Sequence, residues 1–134
     1  MAVLRPYMYG EDVRRQAAFY AEALGGKINA VMTYGEGGFG SGEDQEKAMH
    51  LELEAAGLLF YLADVIRGPV VRGSALDLNL EFPKEDEARR AFEGLAAGGE
   101  ILMPLEMVFW GALFGRVRDR YGVQWQISTP RQGA

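Results

Sequence analysis

The residues best suited to chemistry lie in the segment His50-Leu51-Glu52, which contains the only histidine of the 134-residue chain. Residues two apart on a β-strand point to the same side of a sheet, so the imidazole of His50 and the carboxylate of Glu52 would be neighbours. Such a pair could act as general acid and base or supply two metal ligands. The alternation of His50 and Glu52 with Met49, Leu51 and Leu53 also fits a polar strand face without a chemical role, so both interpretations stay open.

The composition limits the remaining chemistry. With no cysteine and one histidine, the chain cannot form a cysteine nucleophile, a cysteine metal site or a metal site of several histidines. Its net charge of −5 argues against nucleic acid as a partner. The local exception is the alternating series Arg116, Arg118 and Arg120, which would form either a solvated strand face or an anion site.

A glycine-rich segment, residues 35–40 (GEGGFG), satisfies the dinucleotide-binding pattern G-x-G-x-x-G letter by letter. That pattern binds phosphate where a helix opens directly after it, whereas the following residues 41–46 are polar and acidic. We therefore predict a hairpin loop here and no cofactor.

An internal repeat organises the chain. Residues 18–28 (AFYAEALGGKI) reappear 73 positions later as residues 91–101 (AFEGLAAGGEI). Each copy predicts a helix of about 12 residues that starts near acidic residues and ends at a Gly-Gly pair. Two copies of one structural unit are therefore expected.

Segments that alternate apolar and polar residues surround both helices and predict strands. One strand precedes each helix and three follow, so the chain is expected to form a βαβββ module twice. The predicted strands are residues 3–9, 27–34, 48–55 and 58–63, then 75–82, 100–107, 112–119 and 123–128. Residues 119–122 (DRYG) predict the turn into the last strand.

These elements predict one α+β domain over residues 1–134. Module one covers residues 1–64, a linker with glycine and proline covers residues 65–74, and module two covers residues 75–129. Because each helix covers only one face of its sheet, we expect a curved, mostly antiparallel eight-stranded sheet around a cleft.

Alternation along the strands assigns the side chains to two faces. The helix side is predicted to receive Leu4, Met8, Phe60, Leu62, Leu78, Leu80, Trp125 and Ile127. The cleft side is predicted to receive Arg5, Tyr7, Tyr9, Leu59, Tyr61, Asp77, Asn79, Gln124 and Gln126. Aromatic rings, amides and few charges are the composition expected of a small-molecule pocket.

Asp77 is the cleft residue whose pKa we expect to be altered. Partial burial disfavours its charge, and Arg5 as a neighbour would favour it, so the direction of the shift stays open. Tyr7, Tyr61, Asp77 and Gln126 are expected to converge on one concave surface.

Several segments resemble the vicinal oxygen chelate superfamily, which has the glyoxalase and bleomycin resistance fold, and within it the PhnB-like branch. The resemblance covers residues 3–129 and is strongest over residues 109–125 (FWGALFGRVRDRYGVQW). Shorter matching segments are Pro6-Tyr7, Ala18-Phe19-Tyr20, Gly25-Gly26, Met32-Thr33-Tyr34-Gly35, Met49-His50-Leu51-Glu52-Leu53 and Met103-Pro104-Leu105. The resemblance implies the two-module fold and its cleft.

The resemblance implies that, in metal-dependent members of the superfamily, four metal ligands come from the first and last strands of the two modules. The matching positions here look like Arg5 or Pro6, Tyr61, Asp77 and Gln126. One carboxylate, one phenol and one amide would not hold a divalent metal tightly, so we expect no metal and no cofactor.

The resulting hypothesis is a protein that binds a small organic molecule in its cleft. The candidate ligand-binding residues are Tyr7, His50, Tyr61, Asp77, Asn79, Trp110 and Gln126. The alternative is a metal-dependent lyase, isomerase or dioxygenase of the same superfamily, and whether the chain is an enzyme stays open. Trp110 equally fits a core position, a cap over a pocket or an interface.

Location and assembly follow from composition. The absence of cysteine and of a long apolar run predicts a soluble, unprocessed cytoplasmic protein with no membrane contact. The edge strands and the apolar segment 107–114 need cover, so a homodimer is expected.

Overall fold

The computed structural model describes residues 1–131 and contains two α-helices, eight β-strands and a short 3-10 helix, Gly42–Glu46. In chain order the elements are β1 (Tyr7–Gly10), α1 (Val13–Leu24), β2 (Gly26–Thr33), β3 (Ala48–Ala55), β4 (Leu58–Asp64), β5 (Leu78–Glu81), α2 (Glu85–Ala96), β6 (Glu100–Met107), β7 (Leu113–Arg118) and β8 (Gln124–Ser128). The predicted βαβββ order therefore occurs twice. Among residues 1–131 no helix is long and apolar enough to cross a membrane.

Each module forms its own four-stranded mixed sheet. The strand order is β1-β4-β3-β2 in the first sheet and β5-β8-β7-β6 in the second. The first strand of each module runs parallel to the last, and the other neighbours are antiparallel. The identical order in the two sheets confirms the pseudo-symmetric α+β architecture, with the eight strands forming two sheets of four rather than the one sheet predicted.

The chain divides into two compact units, Met1–Val71 and the residues from Arg72 onward. In the first unit α1 packs on β2, β3 and β4, and in the second unit α2 packs on β6, β7 and β8. Each helix therefore covers one face of its own sheet and leaves the other face to the strands' alternate side chains.

The helices begin and end where the sequence predicts. Asp12 caps α1 by accepting a hydrogen bond from the backbone N–H of Arg15 at 3.3 Å, and the first turn of α2 holds three acidic residues. The chain leaves the helices through Gly25 (φ 77°) and Gly98 (φ 75°), in left-handed backbone that glycine adopts without strain.

The core of each unit lies between its helix and its sheet. In the first unit the buried strand residues include Met8, Leu51, Leu53, Phe60 and Leu62. In the second unit they include Leu80, Val117, Trp125 and Ile127. Leu78 is half-buried, at the start of β5.

Leu4 and Arg5 do not lie on a strand, contrary to the sequence prediction. Strand β1 begins at Tyr7 rather than at residue 3, because Pro6 has no backbone N–H to donate. Pro6 contributes only its carbonyl, which accepts from the N–H of Tyr61 at 2.9 Å. As a result Leu4 is 91% exposed rather than buried in the core, and Arg5 is also exposed.

The buried faces of α1 and α2 do not align in the same way as the Gly-Gly pairs that follow the two helices. Phe92 is buried in α2, but its sequence match Phe19 is only half-buried, and Tyr20 takes the buried position in α1. One extra residue, Ala97, separates the end of α2 from its left-handed glycine, so the helix faces align one residue out of step with the repeated Gly-Gly pair.

Candidate functional site

The first sheet carries four ring side chains on the face opposite its helix. Tyr7 and Tyr9 lie on β1, Tyr61 on β4 and His50 on β3, three strands that are neighbours in the sheet. They alternate with buried core residues of the same strands, which is why they point away from α1. We call these four residues the aromatic face.

The rings of the aromatic face contact one another. Ring centroids lie 4.9 Å apart for His50 and Tyr61, 5.3 Å for Tyr7 and Tyr9, 5.8 Å for Tyr7 and His50, and 6.1 Å for Tyr7 and Tyr61. These separations lie in the range in which aromatic pairs attract. Because Tyr7 is 44% and Tyr9 54% exposed, the rings form a continuous surface that solvent or a ligand can reach.

One hydrogen bond connects two residues of the aromatic face, Tyr7 and His50. The phenol of Tyr7 lies 3.3 Å from Nδ1 of His50. Burial raises the pKa of the Tyr7 phenol, and the neighbouring phenols of Tyr9 and Tyr34 raise it further. Tyr7 therefore keeps its proton at neutral pH and can donate it to the imidazole.

Glu52 shares the open side of β3 with His50, as the alternation predicts, but has a different partner. It accepts a hydrogen bond from the side-chain amide of Asn29 on β2 at 3.0 Å. In the described part of the chain the hydrogen bond of His50 goes to Tyr7, so the geometry pairs the imidazole with a phenol rather than with a carboxylate.

The second sheet carries a hydrogen-bonded polar network on the corresponding face. Its central residue, Asp77, directly precedes β5, which begins at Leu78 rather than at residue 75 as predicted. The carboxylate of Asp77 accepts from Arg116 Nε at 2.7 Å and Nη2 at 3.3 Å, from Gln124 at 2.7 Å and from Gln126 at 3.2 Å. Asn79 donates to Gln126 at 3.0 Å. We call these five residues the amide face.

The charge of Asp77 is stabilised inside this network. The hydrogen bond from Arg116 lowers the pKa of Asp77, and the amides of Gln124 and Gln126 add to this effect against the opposing effect of burial. The cation at Asp77 is thus Arg116, from the middle of β7, and not the expected Arg5. Strand alternation does not indicate this pairing, because it depends on the order β5-β8-β7.

Arg116 and Arg118 share one face of β7, as the alternation predicts, and their side chains are 30% and 37% exposed although both are bound to carboxylates. Arg116 binds Asp77, and Arg118 binds Glu100 at 3.1 Å and Gln124 at 2.7 Å. Arg120 lies beyond β7 and donates to the backbone carbonyl of Ala97 at 3.0 and 3.1 Å. All three guanidinium groups therefore have partners within the second unit.

The glycine-rich segment is a loop, as predicted. Residues 34–38 form turns between β2 and β3, and the following helical turn is the five-residue 3-10 helix. No α-helix opens after it, so the fingerprint lacks the structural context that dinucleotide binding requires.

Trp110 occupies a turn between β6 and β7 and is exposed, which overturns the core interpretation. Its ring contacts Phe109 at 4.7 Å and Phe114 at 6.1 Å between centroids. Phe109 itself is 96% exposed. Roles as a cap or at an interface stay predictions.

Two buried carboxylates have structural roles. Asp119 accepts from the N–H groups of Tyr121 and Val123 and from the indole of Trp125, which confirms its assignment to the turn. Asp64, which the sequence analysis missed, accepts from the backbone N–H groups of Val13 and Ala48, both at 2.8 Å. Its place at the end of the apolar strand β4 does not indicate these contacts.

Two open hollows lie apart from the candidate residues. One, of about 400 Å³, lies between α2 and β6 and includes Phe92 and Pro104. The other, of about 490 Å³, lies beside the glycine-rich loop and includes Tyr34 and Phe39. Neither is lined by a predicted site residue.

Six of the seven predicted site residues fall into two groups, one in each unit, while Trp110 contacts Phe109 and Phe114 instead. Tyr7, His50 and Tyr61 come together on the aromatic face, and Asp77, Asn79 and Gln126 on the amide face. The convergence of the two groups on one concave surface stays a prediction.

The donor set does not fit a tightly held divalent metal. Across residues 1–131, no three His, Cys, Asp or Glu side chains come together. Asp77 already receives four hydrogen bonds, two of them from a guanidinium that would repel a metal cation. Tyr61 lies among rings and offers only a phenol.

The fold of each unit and these faces define a two-module βαβββ protein with an open sheet face in each module. Residues 3–127 match the family model of the Glyoxalase/Bleomycin resistance protein/Dioxygenase superfamily. The chain belongs to this superfamily.

Similar proteins support its placement in the PhnB-like branch. Protein YjdN of Escherichia coli is 28% identical in an alignment of 141 positions that covers 96% of each chain. The structure of a PhnB protein from Bacillus cereus is 25% identical, with a TM-score of 0.79 and coverage of 96% of this chain and 100% of that one. Protein PA1353 from Pseudomonas aeruginosa is 28% identical, with a TM-score of 0.79 and coverage of 95% and 98%.

Proposed function

We propose that this protein binds a small organic molecule against its aromatic face and does so without a tightly held metal. The observation that carries the proposal is the continuous surface of Tyr7, Tyr9, His50 and Tyr61, which lies partly exposed on the open side of the first sheet. The cysteine-free composition supports a cytoplasmic location.

Exposed rings held by a rigid sheet suit the binding of an apolar molecule. Aromatic side chains bury large areas on contact, and their phenol and imidazole tips orient a ligand through hydrogen bonds. Tyr7 and Tyr61 lie opposite each other in the β1–β4 register, so backbone pairing fixes their spacing. A ligand would therefore meet a preformed surface.

The proposed absence of a metal rests on the partners of Asp77. A metal at that carboxylate would have to displace Arg116 and two amides, which together already neutralise and saturate its oxygens. Elemental analysis of protein purified without chelator is expected to find well under half an equivalent of metal. More than about half an equivalent of Zn, Ni, Fe or Mn, lost on Asp77→Ala, would contradict the proposal.

The Bacillus cereus relative is described as a putative 3-demethylubiquinone-9 3-methyltransferase. We propose no methyltransferase activity for this chain. Its residues 1–131 form two mixed four-stranded sheets, each with one helix, rather than the doubly wound parallel sheet at whose strand ends nucleotide cofactors bind.

Binding is tested by adding small aromatic and carbonyl compounds to the chelator-treated protein and following amide chemical shifts. The proposal predicts shifts at residues of the aromatic face, and Tyr61→Leu is expected to weaken binding about tenfold or more while the protein stays folded. Phe39→Leu, which removes an exposed ring from the glycine-rich loop, is the matched control and is expected to leave binding unchanged. Equal losses in both variants would contradict the assignment of the site.

A further inference from the structure

One nitrogen of the His50 imidazole has a hydrogen-bond partner among residues 1–131, and the other has none. Tyr7 lies at hydrogen-bond distance from Nδ1. In residues 1–131 the His50 side chain makes no other hydrogen bond or ion pair, and its ring lies half-buried among the tyrosines. Nε2 is therefore the nitrogen that can reach a ligand.

The protonation of Tyr7 determines what Nε2 offers. A protonated phenol donates to Nδ1, and a neutral imidazole whose Nδ1 accepts a hydrogen bond carries its proton on Nε2. The pKa of Tyr7 is raised by burial and by Tyr9 and Tyr34, so the phenol stays protonated across the neutral range. Tyr7 is a positioning residue that holds His50 as an Nε2–H donor.

Tyr61 provides a second donor beside the first. Its ring is the nearest to His50, at 4.9 Å between centroids, and its hydroxyl has no hydrogen-bond partner within the described residues. Half-buried donors without protein partners bind an acceptor from outside the chain, water when no ligand is present.

We propose that His50 and Tyr61 form a pair of neutral hydrogen-bond donors that binds an acceptor oxygen, such as a carbonyl, of a planar apolar ligand. The proposal rests on the function proposed above and adds the chemical class of the ligand. Tyr7 and Tyr9 supply the ring surface, and the donor pair supplies the polar contact. A neutral acceptor is favoured over an anion because Glu52 and Glu54 lie on the same strand as His50.

Two probes of the same shape separate the ring surface from the donor pair. Acetophenone carries a carbonyl, and α-methylstyrene replaces that oxygen with a CH₂ group. His50 is the only histidine, so the ring signals of ¹⁵N-histidine-labelled full-length protein report on it alone. At about pH 8, acetophenone is expected to bind about 3- to 10-fold more tightly than α-methylstyrene and to shift the Nε2 signal.

Variants assign the preference to individual groups. Tyr61→Phe keeps the ring and is expected to remove most of the preference for acetophenone. Tyr7→Phe is expected to lower this preference and to shift the neutral imidazole toward its Nδ1–H tautomer. Tyr121→Phe removes a phenol from the second unit and is expected to change neither. An unchanged tautomer ratio in Tyr7→Phe would overturn the positioning role of Tyr7.

The comparison of acetophenone with α-methylstyrene on the wild-type protein tests the donor pair even if a variant does not fold. Equal affinity for the two probes, with both shifting His50, would overturn the donor pair and leave the proposed function standing. No effect of either probe on His50 up to the solubility limit would overturn the aromatic face as a binding surface, and the inference with it.

Discussion

Asp77 receives four hydrogen bonds from three side chains that lie 39 to 49 residues away in the chain. Its side chain is only 11% exposed, and its charge is balanced by Arg116. At this position a metal-dependent relative would use the carboxylate as a ligand, as the family resemblance implies. Here the same carboxylate fixes the orientation of two glutamine amides.

The lowered pKa of Asp77 predicts how stability depends on pH. The folded state binds this proton less readily than the unfolded chain, so the contribution of Asp77 is present above the ordinary carboxylate pKa, about pH 4, and is lost as the pH falls through the folded value. Asp77→Asn is expected to lower the unfolding free energy at neutral pH by on the order of 1–2 kcal/mol, because the ion pair is partly open to solvent.

Urea unfolding at neutral pH and at about pH 3 checks this prediction. The difference between wild type and Asp77→Asn is expected to shrink in acid. Glu81→Gln, at an exposed carboxylate of β5, is the control and should show little effect at either pH. A gap between wild type and Asp77→Asn that stays constant or widens in acid would contradict the assigned role.

At the scale of elements, Asp64 joins the end of β4 to the starts of α1 and β3. It is buried and accepts from the N–H groups of Val13 and Ala48. Asp64→Ala leaves both donors buried without a partner, so the unfolding free energy is expected to fall by about 2–4 kcal/mol. Asp12→Ala removes only an exposed helix cap and is expected to cost about 1 kcal/mol. Similar losses in the two variants, measured by urea unfolding, would contradict this account.

Gly25 and Gly26 are expected to respond to alanine for different reasons. A Cβ at Gly26 would overlap the backbone carbonyl of Glu54 and lie 2.8 Å from Cα of Ala55, whereas a Cβ at Gly25 meets open space but requires φ 77°. Gly25→Ala is expected to cost about 1 kcal/mol, and Gly26→Ala more than about 2 kcal/mol because backbone must move. Thermal and urea unfolding of both variants check the order, which a larger loss for Gly25→Ala would contradict.

Sequence pattern predicted the elements well where local rules determine them. Alternation set the full bounds of β3 and β6, and the glycines set both helix ends. The pattern failed where pairing with a distant strand determines the bounds. Strand β1 starts only after Pro6, because Pro6 has no N–H to donate to β4. The same limit applies to the site, because alternation placed Tyr7 and Tyr61 on one face but gave no indication of the contact between Asp77 and Arg116.

At the scale of the whole molecule, the homodimer stays a prediction. The exposed ring of Phe109, beside Trp110 and in the apolar segment 107–114, is the kind of surface that a second copy would cover. Light scattering at micromolar concentration is expected to give about twice the 14.8 kDa chain mass, and Phe109→Ser is expected to lower it. A wild-type mass near that of one chain would contradict the prediction.

Much of the architecture could be predicted because it is repeated. Two copies of one pattern, each with its own helix and four strands, led to the βαβββ order and to the superfamily that the family match shows. The cleft and the convergence of Tyr7 and Tyr61 with Asp77 and Gln126 stay predictions. They depend on the arrangement of two units, which alternation within strands does not determine.

The measurement that tests the central claim most directly is the binding of acetophenone before and after metal removal, followed at the His50 ring signals. Metal-free binding on the aromatic face predicts the same affinity and the same His50 shifts in untreated and chelator-treated protein, and weaker binding in Tyr61→Leu under both conditions. Binding that disappears with the chelator and returns when a divalent metal is added would contradict the account.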